Sequence, residues 1–228
     1  PVRTKYIGEA MESTRNKDGL FVFSNEAKNL LENELKISNI LVIPKTIDAW
    51  EESNWEYGES SGIFLGDVAK FINPYLTPNA EDIISLLKKN FDCDISFVSQ
   101  YTSSDEIPDF LKGCKIYPFS NEISTIISKH RVYLHANRYC TFEMLPIEAM
   151  SCGVPLCYVD MPQSLNSYVG LSGLRYENHS EMIWSLKKIY FSKDVWSNLR
   201  SSGISKSKSL DYNSSFIQLE KTVNSIFS

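Results

Sequence analysis

The sequence has few of the features that mark membrane, nucleic-acid-binding or metal-binding proteins. No apolar run approaches the roughly 20 residues needed to cross a bilayer, and no secretory signal pattern opens the chain. The chain has 23 Lys and Arg residues and 28 Asp and Glu residues, which gives a net charge of −5. This charge argues against nucleic-acid binding, which normally requires a basic face. Three histidines are too few for a histidine-rich metal site. We therefore expect no nucleic-acid partner, no transmembrane segment, no metal and no other cofactor.

Cysteine is present but without the spacing of a redox or zinc motif. The five cysteines are Cys93, Cys114, Cys140, Cys152 and Cys157, an odd number with no Cys-x-x-Cys pair. Several lie in apolar, strand-like contexts. The pattern is typical of reduced thiols, and it predicts a cytoplasmic location.

Length and composition are those of a globular chain. The 228 residues are 43% hydrophobic and 22% charged, which is ordinary for a folded domain. This length suffices for one large α/β domain, or for one domain and part of another. Because the chain begins at Pro1 and not at a methionine, we expect it to be excised from a longer protein with other domains.

Short apolar runs alternate with segments of helical periodicity along the whole chain. Strands are predicted at 20–23, 40–43, 63–65, 95–98, 116–119, 132–136, 154–159 and 174–176. Helices are predicted at about 26–35, 78–89, 121–129, 145–151, 164–169, 180–191, 193–202 and 212–227. Apolar strands that alternate with helices predict a Rossmann-like α/β fold, with a mostly parallel sheet covered by helices on both faces.

The segment 131–160 is the most informative part of the chain. It predicts a strand, a polar loop, a short helix and a second strand, and Gly153 is suited to the left-handed C-terminal cap of that helix. Such a unit directs the amides of the helix N-terminus at whatever occupies the loop. Glu148 lies within the helix, where its carboxylate can accept a hydrogen bond from a hydroxyl group. The arrangement suits a ligand that carries phosphates and a sugar.

This segment resembles the donor-binding signature of retaining glycosyltransferases of the GT-B fold, the glycogen synthase-like and sucrose synthase-like group. The signature is a glutamate, seven residues and a second glutamate, followed by Ala-Met-Ala-x-Gly-x-Pro. The matching residues are Phe142, Pro146, Glu148, Ala149, Met150, Gly153 and Pro155.

The resemblance implies a function and a domain organisation. Members of the group transfer a sugar from a nucleotide-diphosphate sugar to an acceptor, so the expected partners are such a donor and a glycan or lipid-linked acceptor. Residues 1–48 would be the end of an N-terminal βαβ region, 49–61 a linker, and 62–228 the GT-B C-terminal-type, donor-binding domain. Most of the acceptor-binding domain would be absent from this chain.

The resemblance also implies a set of site residues. Glu148 would hold the ribose hydroxyls of the donor; the alternative is a carboxylate that only complements the helix dipole. Arg138, in the loop before the helix, and Lys70 are the candidate groups for stabilising the phosphates, and the alternative for Arg138 is a surface arginine. Gly66, Met144 and Leu145 join the predicted donor-binding set, as does Glu143.

Four positions depart from the group's pattern. Cys140 stands where the first glutamate belongs, Asp67 where an arginine grips the diphosphate, and Ile72 where a lysine does so. Glu143 replaces a glycine, and a carboxylate at this position repels a diphosphate unless a nearby cation neutralises its charge. The alternative for Glu143 is a solvated acid at the start of the helix.

Two further residues are expected near the carboxyl ends of strands. His135 is expected to be a histidine of the core or of the cleft wall. Asp160 follows the next strand, at the edge where α/β proteins bind ligands, although aspartate also occurs there simply to start a turn.

Two functional interpretations follow. In the first, the chain is the donor-binding domain of a glycosyltransferase. In the second, it is a non-catalytic GT-B-like scaffold or accessory domain of a larger glycan-assembly protein.

Overall fold

The computed structural model describes residues 20–22, 25–34, 36, 40–42, 51–99, 107–138, 143–160, 164–210, 216–217, 220–221 and 224. The strands are β1 (Leu20–Val22), β2 (Ile40–Val42), β3 (Ile63–Asp67), β4 (Ile95–Ser99), β5 (Lys115–Pro118), β6 (Val132–His135), β7 (Leu156–Val159) and β8 (Gly173–Tyr176). The helices are α1 (Asn25–Glu34), α2 (Val68–Phe71), α3 (Ala80–Asn90), α4 (Ile123–Ser128), α5 (Met144–Ser151), α6 (Ser164–Val169), α7 (His179–Phe191) and α8 (Lys193–Lys208). Two 3-10 turns lie at Asp109–Leu111 and Gly170–Ser172.

Six of the strands form one parallel sheet in the order β5-β4-β3-β6-β7-β8. The other two described strands, β1 and β2, pair in parallel with each other and not with the large sheet. The predicted fold class, an α/β Rossmann-like parallel sheet, is confirmed.

Helices cover both faces of the large sheet, and the strands divide their side chains between two cores. Ile63 and Leu65 of β3 point to the core beneath α3, α7 and α8, whereas Phe64 points to the core beneath α4, α5 and α6. Strand β6 alternates in the same way. Since successive side chains of a strand face opposite sides, a strand buried on both faces must be apolar throughout.

The end of α5 is built as the sequence predicted. Gly153 has φ +90°, the amide of Gly153 donates to the carbonyl of Met150 at 3.0 Å, and that of Val154 donates to the carbonyl of Ala149 at 3.0 Å. These two bonds form a Schellman cap, which satisfies the last carbonyls of the helix. The cap turns the chain directly into β7.

Two elements differ from the prediction. The short helix α2 was not expected, and Asp67 caps it by accepting a hydrogen bond from the amide of Ala69 at 2.9 Å. Helix α8 continues past the predicted end at Ser202, because Gly203 packs against Met150 and the following Ile204 is buried. That burial outweighs the roughly 1 kcal/mol by which glycine disfavours a helix. The predicted helix 212–227 lies largely outside the described residues.

Two arginines fasten the segment before β3 to the domain. Arg131 donates from Nε to the carbonyl of Ser60 at 2.9 Å and from Nη1 to the carbonyl of Tyr190 at 3.1 Å, and its guanidinium lies 4.1 Å from the ring centroid of Tyr57. Arg200 donates to the carbonyl of Gly153 at 3.1 Å and to the carbonyl of Ser53. The segment from Ser53 to Ser60 is therefore anchored on the domain.

Within the described residues, no helix is both long enough and apolar enough to cross a membrane.

The Gly153→Ala substitution is expected to destabilise the fold for two reasons. A side chain at this φ costs about 1–2 kcal/mol, and the new Cβ would lie 2.0 Å from Nη1 of Arg200. Displacing that anchored arginine adds a further loss of about 1–3 kcal/mol in the free energy of unfolding. Urea denaturation measures both.

Gly113→Ala is the matched control. Gly113 has φ +84°, and a Cβ there would meet nothing within 4 Å. The free energy of unfolding of Gly113→Ala should therefore fall only by the cost of the left-handed backbone conformation. Equal losses for the two variants would mean that Arg200 moves aside without cost.

Candidate functional site

The large sheet changes direction between β3 and β6. From β3 the chain proceeds outward to β4 and β5, and from β6 it proceeds the other way to β7 and β8. In open α/β sheets, ligands bind in the crevice that such a switch leaves at the carboxyl ends of the strands. Here that crevice lies between Gly66 at the end of β3 and the residues that follow His135 at the end of β6.

Glu143, the residue that precedes α5, is the centre of a polar cluster at this crevice. Its side chain is only 8% exposed. Oε1 accepts a hydrogen bond from Nδ2 of Asn137 at 2.8 Å and lies 3.5 Å from Nζ of Lys70, and Oε2 lies 3.4 Å from Nδ1 of His135. The expectation of a solvated acid is therefore wrong. Three side chains from two other segments enclose the carboxylate, and one of them is the cation that the sequence argument required.

A second hydrogen bond extends the cluster. Oδ1 of Asn137 accepts from Oγ1 of Thr77 at 2.8 Å, and both side chains are buried. This bond fixes the amide so that its nitrogen points at Glu143. The sequence reasoning missed Asn137 and Thr77. The available signal was that Asn137 follows a buried strand almost immediately.

His135 lies inside this cluster and is 1% exposed. Burial lowers the pKa of His135 below the usual value for histidine, Glu143 opposes this by favouring the charged ring, and Lys70 adds to the lowering. The burial agrees with the expectation of a core or cleft-wall histidine. Its Nε2 has no hydrogen-bond partner among the described residues.

Position 66 requires a glycine, both for its backbone conformation and for lack of space. It has φ +87°, and a Cβ there would lie 2.4 Å from Oη of Tyr133 and 4.0 Å from Cδ2 of Leu145. The backbone thus passes directly over Tyr133 and beside the first turn of α5. Lys70 follows on α2, with its side chain 49% exposed. The structure brings Gly66, Lys70, Glu143 and Leu145 together at one crevice.

Glu148 lies farther along α5, half-buried. At about 1.5 Å per residue it is roughly 7 Å beyond Glu143 along the helix axis. Met144 and Leu145, both partly buried, precede it by four and three residues and therefore share its side of the helix. Since Leu145 is next to Gly66, this stripe borders the crevice.

Arg138 lies on the other side of the crevice. Its backbone amide donates to the carbonyl of Leu76 at 2.7 Å, which holds the loop before α3 against the end of β6. The side chain lines a narrow cleft with Thr77, Asn79 and Tyr176. Among the residues described here, no carboxylate lies within ion-pair distance of Arg138.

The positions that depart from the family pattern have structural contacts instead. Asp67 caps α2, and Ile72 packs against the core beneath α3. Asp160, which directly follows β7, is paired with Arg175 of β8 at 3.3 Å. Cys140 lies outside the described residues.

Nothing in the described part of the chain indicates a metal centre. It contains no group of three or more side chains suited to hold a metal ion. An Asp-x-Asp spacing occurs at Asp92 and Asp94, just before β4 and therefore at the amino ends of the strands, opposite to the crevice. Asp94 is paired with Lys115 at 2.6 Å.

A larger cleft of about 690 Å³ lies on the same side, near the amino ends of the strands. It is lined by the segment before β3, including Glu51, Glu52 and Glu59, and by residues at the ends of α4 and α5. Three carboxylates oppose the binding of a phosphate. The crevice at the switch point is therefore the better candidate for an anionic ligand.

No family profile and no curated protein sequence matches the chain. Solved structures do. A variant of TarM from S. aureus in complex with Fondaparinux, alpha-GlcNAc-glycerol and UDP has a TM-score of 0.78 at 14% identity, over 98% of this chain and 46% of that one. Sucrose-phosphate synthase from Thermosynechococcus elongatus has a TM-score of 0.75 at 15% identity, over 96% of this chain and 60% of that one.

The pneumococcal O-GlcNAc transferase GtfA, in complex with UDP and GlcNAc, has a TM-score of 0.76 at 15% identity, over 98% of this chain and 48% of that one. These neighbours are GT-B glycosyltransferases. This chain has the fold of GT-B glycosyltransferases. It spans 46–60% of the length of these neighbours.

The buried histidines predict a loss of stability in acid. His130 and His135 both have pKa values lowered by burial, so the unfolded chain takes up protons below about pH 6.5 that the folded chain does not. The free energy of unfolding should therefore fall as the pH decreases from 7.5 to 5.5, by up to about 1.4 kcal/mol per pH unit for each histidine. Denaturation at a series of pH values measures the slope.

His135→Asn should make that slope shallower. The comparison is of slopes and not of absolute stability, because the substitution also changes packing. An unchanged slope would contradict the assignment, since it would mean that His135 takes up a proton as readily in the folded chain as in the unfolded one.

Proposed function

We propose that the chain binds a nucleotide-diphosphate sugar and serves as the donor-binding domain of a glycosyltransferase that transfers the sugar to a glycan or lipid-linked acceptor. The observation that carries the proposal is the crevice at the switch point, where Gly66, Lys70 and Leu145 meet beside the helix that bears Glu148. Three structural neighbours, two of them in complex with UDP, have the same fold.

The proposed roles follow from charge and position. Glu148 accepts hydrogen bonds from the ribose hydroxyls. Arg138, whose half-buried side chain lines the narrow cleft beside the end of β6, and Lys70 balance the charge of the diphosphate. Such chemistry rests on preorganised cations and dipoles that stabilise the departing diphosphate, with no covalent step on the protein.

The domain organisation is part of the proposal. Residues 1–48 end an N-terminal βαβ region, 49–61 form the linker, and 62–228 form the donor-binding domain. In support, β1 and β2 pair only with each other among the described strands, with α1 between them in sequence. The acceptor-binding part then belongs to other domains of a longer chain, and a cytoplasmic location stays a prediction.

The second candidate is a scaffold that keeps the fold without donor binding. It is favoured by the pairing of Lys70 with Glu143, because that carboxylate neutralises a cation on which the donor's phosphates depend.

Calorimetric titration with UDP, GDP and their sugars tests the first proposal. Glu148→Ala and Arg138→Ala should each weaken nucleotide binding at least tenfold, since a hydrogen bond to a charged group contributes about 1.5–3 kcal/mol and each 1.4 kcal/mol is a factor of ten. Failure of every nucleotide to bind at millimolar concentration would overturn donor binding and favour the scaffold.

Arg175→Ala is the matched control for Arg138. Arg175 is an exposed arginine at the end of β8, paired with Asp160. Its removal should leave the affinity unchanged. An equal loss from both variants would mean that the effect is one of general charge and not of the crevice.

A further inference from the structure

We infer that Glu143 is a resident anion of the switch-point crevice, whose carboxylate occupies the position of a phosphoryl group and competes with any ligand that carries one. The inference deepens the proposed function, because it concerns the affinity of the same crevice for a donor's phosphates. It makes Glu143 the residue that sets this affinity.

Two of the groups around Glu143, the ammonium of Lys70 and the amide of Asn137, are donors that a phosphoryl group uses, and the ring of His135 lies beside them. An ammonium group from Lys70, an amide from Asn137 and an imidazole nitrogen from His135 lie 3.5, 2.8 and 3.4 Å from its two oxygens. Phosphate oxygens accept from the ammonium and the amide, with lysine acting as a point charge. The set is thus chemically an anion site, and its occupant belongs to the chain.

The cluster is built and buried, which separates it from a chance surface ion pair. Glu143 is 8% exposed and His135 is 1% exposed. The amide of Asn137 is oriented by a second buried bond from Thr77 at 2.8 Å. A network in which each member fixes the next holds its geometry whether or not a ligand is present.

The carboxylate has two effects on an incoming phosphoryl group. It takes the hydrogen bond that Asn137 and the charge that Lys70 would otherwise offer, and it adds a negative charge of its own to the crevice. Lys70 is 49% exposed, so its ammonium group is able to leave Glu143, whereas the buried carboxylate is held in place. A ligand must therefore compete with Glu143 for Lys70 against a fixed like charge.

Glu143→Gln tests this, because glutamine keeps the shape of the side chain and an oxygen for Asn137 but removes the charge. The probe is inorganic pyrophosphate, titrated by calorimetry into both proteins, followed by UDP. Pyrophosphate affinity should rise by about tenfold or more in Glu143→Gln relative to the unsubstituted chain. Equal or weaker binding to the variant would overturn the inference.

Two further variants keep the test specific. Glu122→Gln removes the charge of an exposed glutamate before α4 and should leave pyrophosphate affinity unchanged. Adding Lys70→Met to Glu143→Gln should abolish the gain. A gain that survives this second substitution would overturn the assignment of Lys70, and circular dichroism checks that each variant is folded.

The outcomes for the inference and for the proposed function are separable. Suppose that the Glu143→Gln variant binds pyrophosphate more tightly than the unsubstituted chain does, but binds UDP no more tightly than it binds pyrophosphate. The inference then stands, and the proposed recognition of a nucleotide fails. If UDP binds the unsubstituted chain and Glu143→Gln brings no gain, donor binding stands and the inference fails. If no variant binds either probe, both are wrong.

Discussion

The pairing of β3 with β6 is the constraint on which the rest of the structure depends. Ile63 pairs with Val132 and Phe64 with Tyr133, and all four side chains are buried, so a one-residue shift of register would turn each of them into the wrong core. Because the chain leaves these two strands in opposite directions, no crossover covers their carboxyl ends. The polar groups that follow the strands must therefore meet in one crevice.

A crevice that collects polar groups beneath a helix must also satisfy them. A buried carboxylate without partners is costly, and Glu143 avoids this cost mainly through Asn137. A hydrogen bond to a charged group contributes about 1.5–3 kcal/mol, whereas an ion pair with a half-exposed lysine contributes about 0–1 kcal/mol. The amide therefore fixes the carboxylate, and Lys70 supplies charge balance while it stays able to move.

The fold was predictable from the sequence, but the contacts at the crevice were not. Short apolar runs identify strands buried on both faces, and Gly153 marks the end of α5, because these are local properties of the chain. The burial of Glu143 depends on Lys70, which lies 73 positions earlier, and on an amide held by Thr77, and no local pattern indicates such contacts. Likewise, the sequence shows only that Asp67 replaces an arginine of the donor-binding pattern. Its role as the cap of α2 becomes visible only in the structure.

The departures from the family pattern have a common physical consequence. In a site that relies on its ligand, the phosphates of the donor supply the negative charge that balances the crevice. Here Glu143 pairs with Lys70, Asp67 caps α2 and Ile72 packs against the core, so these three altered positions have partners within the chain. Under the proposed donor binding, the phosphates of a ligand compete with the contacts that Glu143 already makes with Lys70 and Asn137.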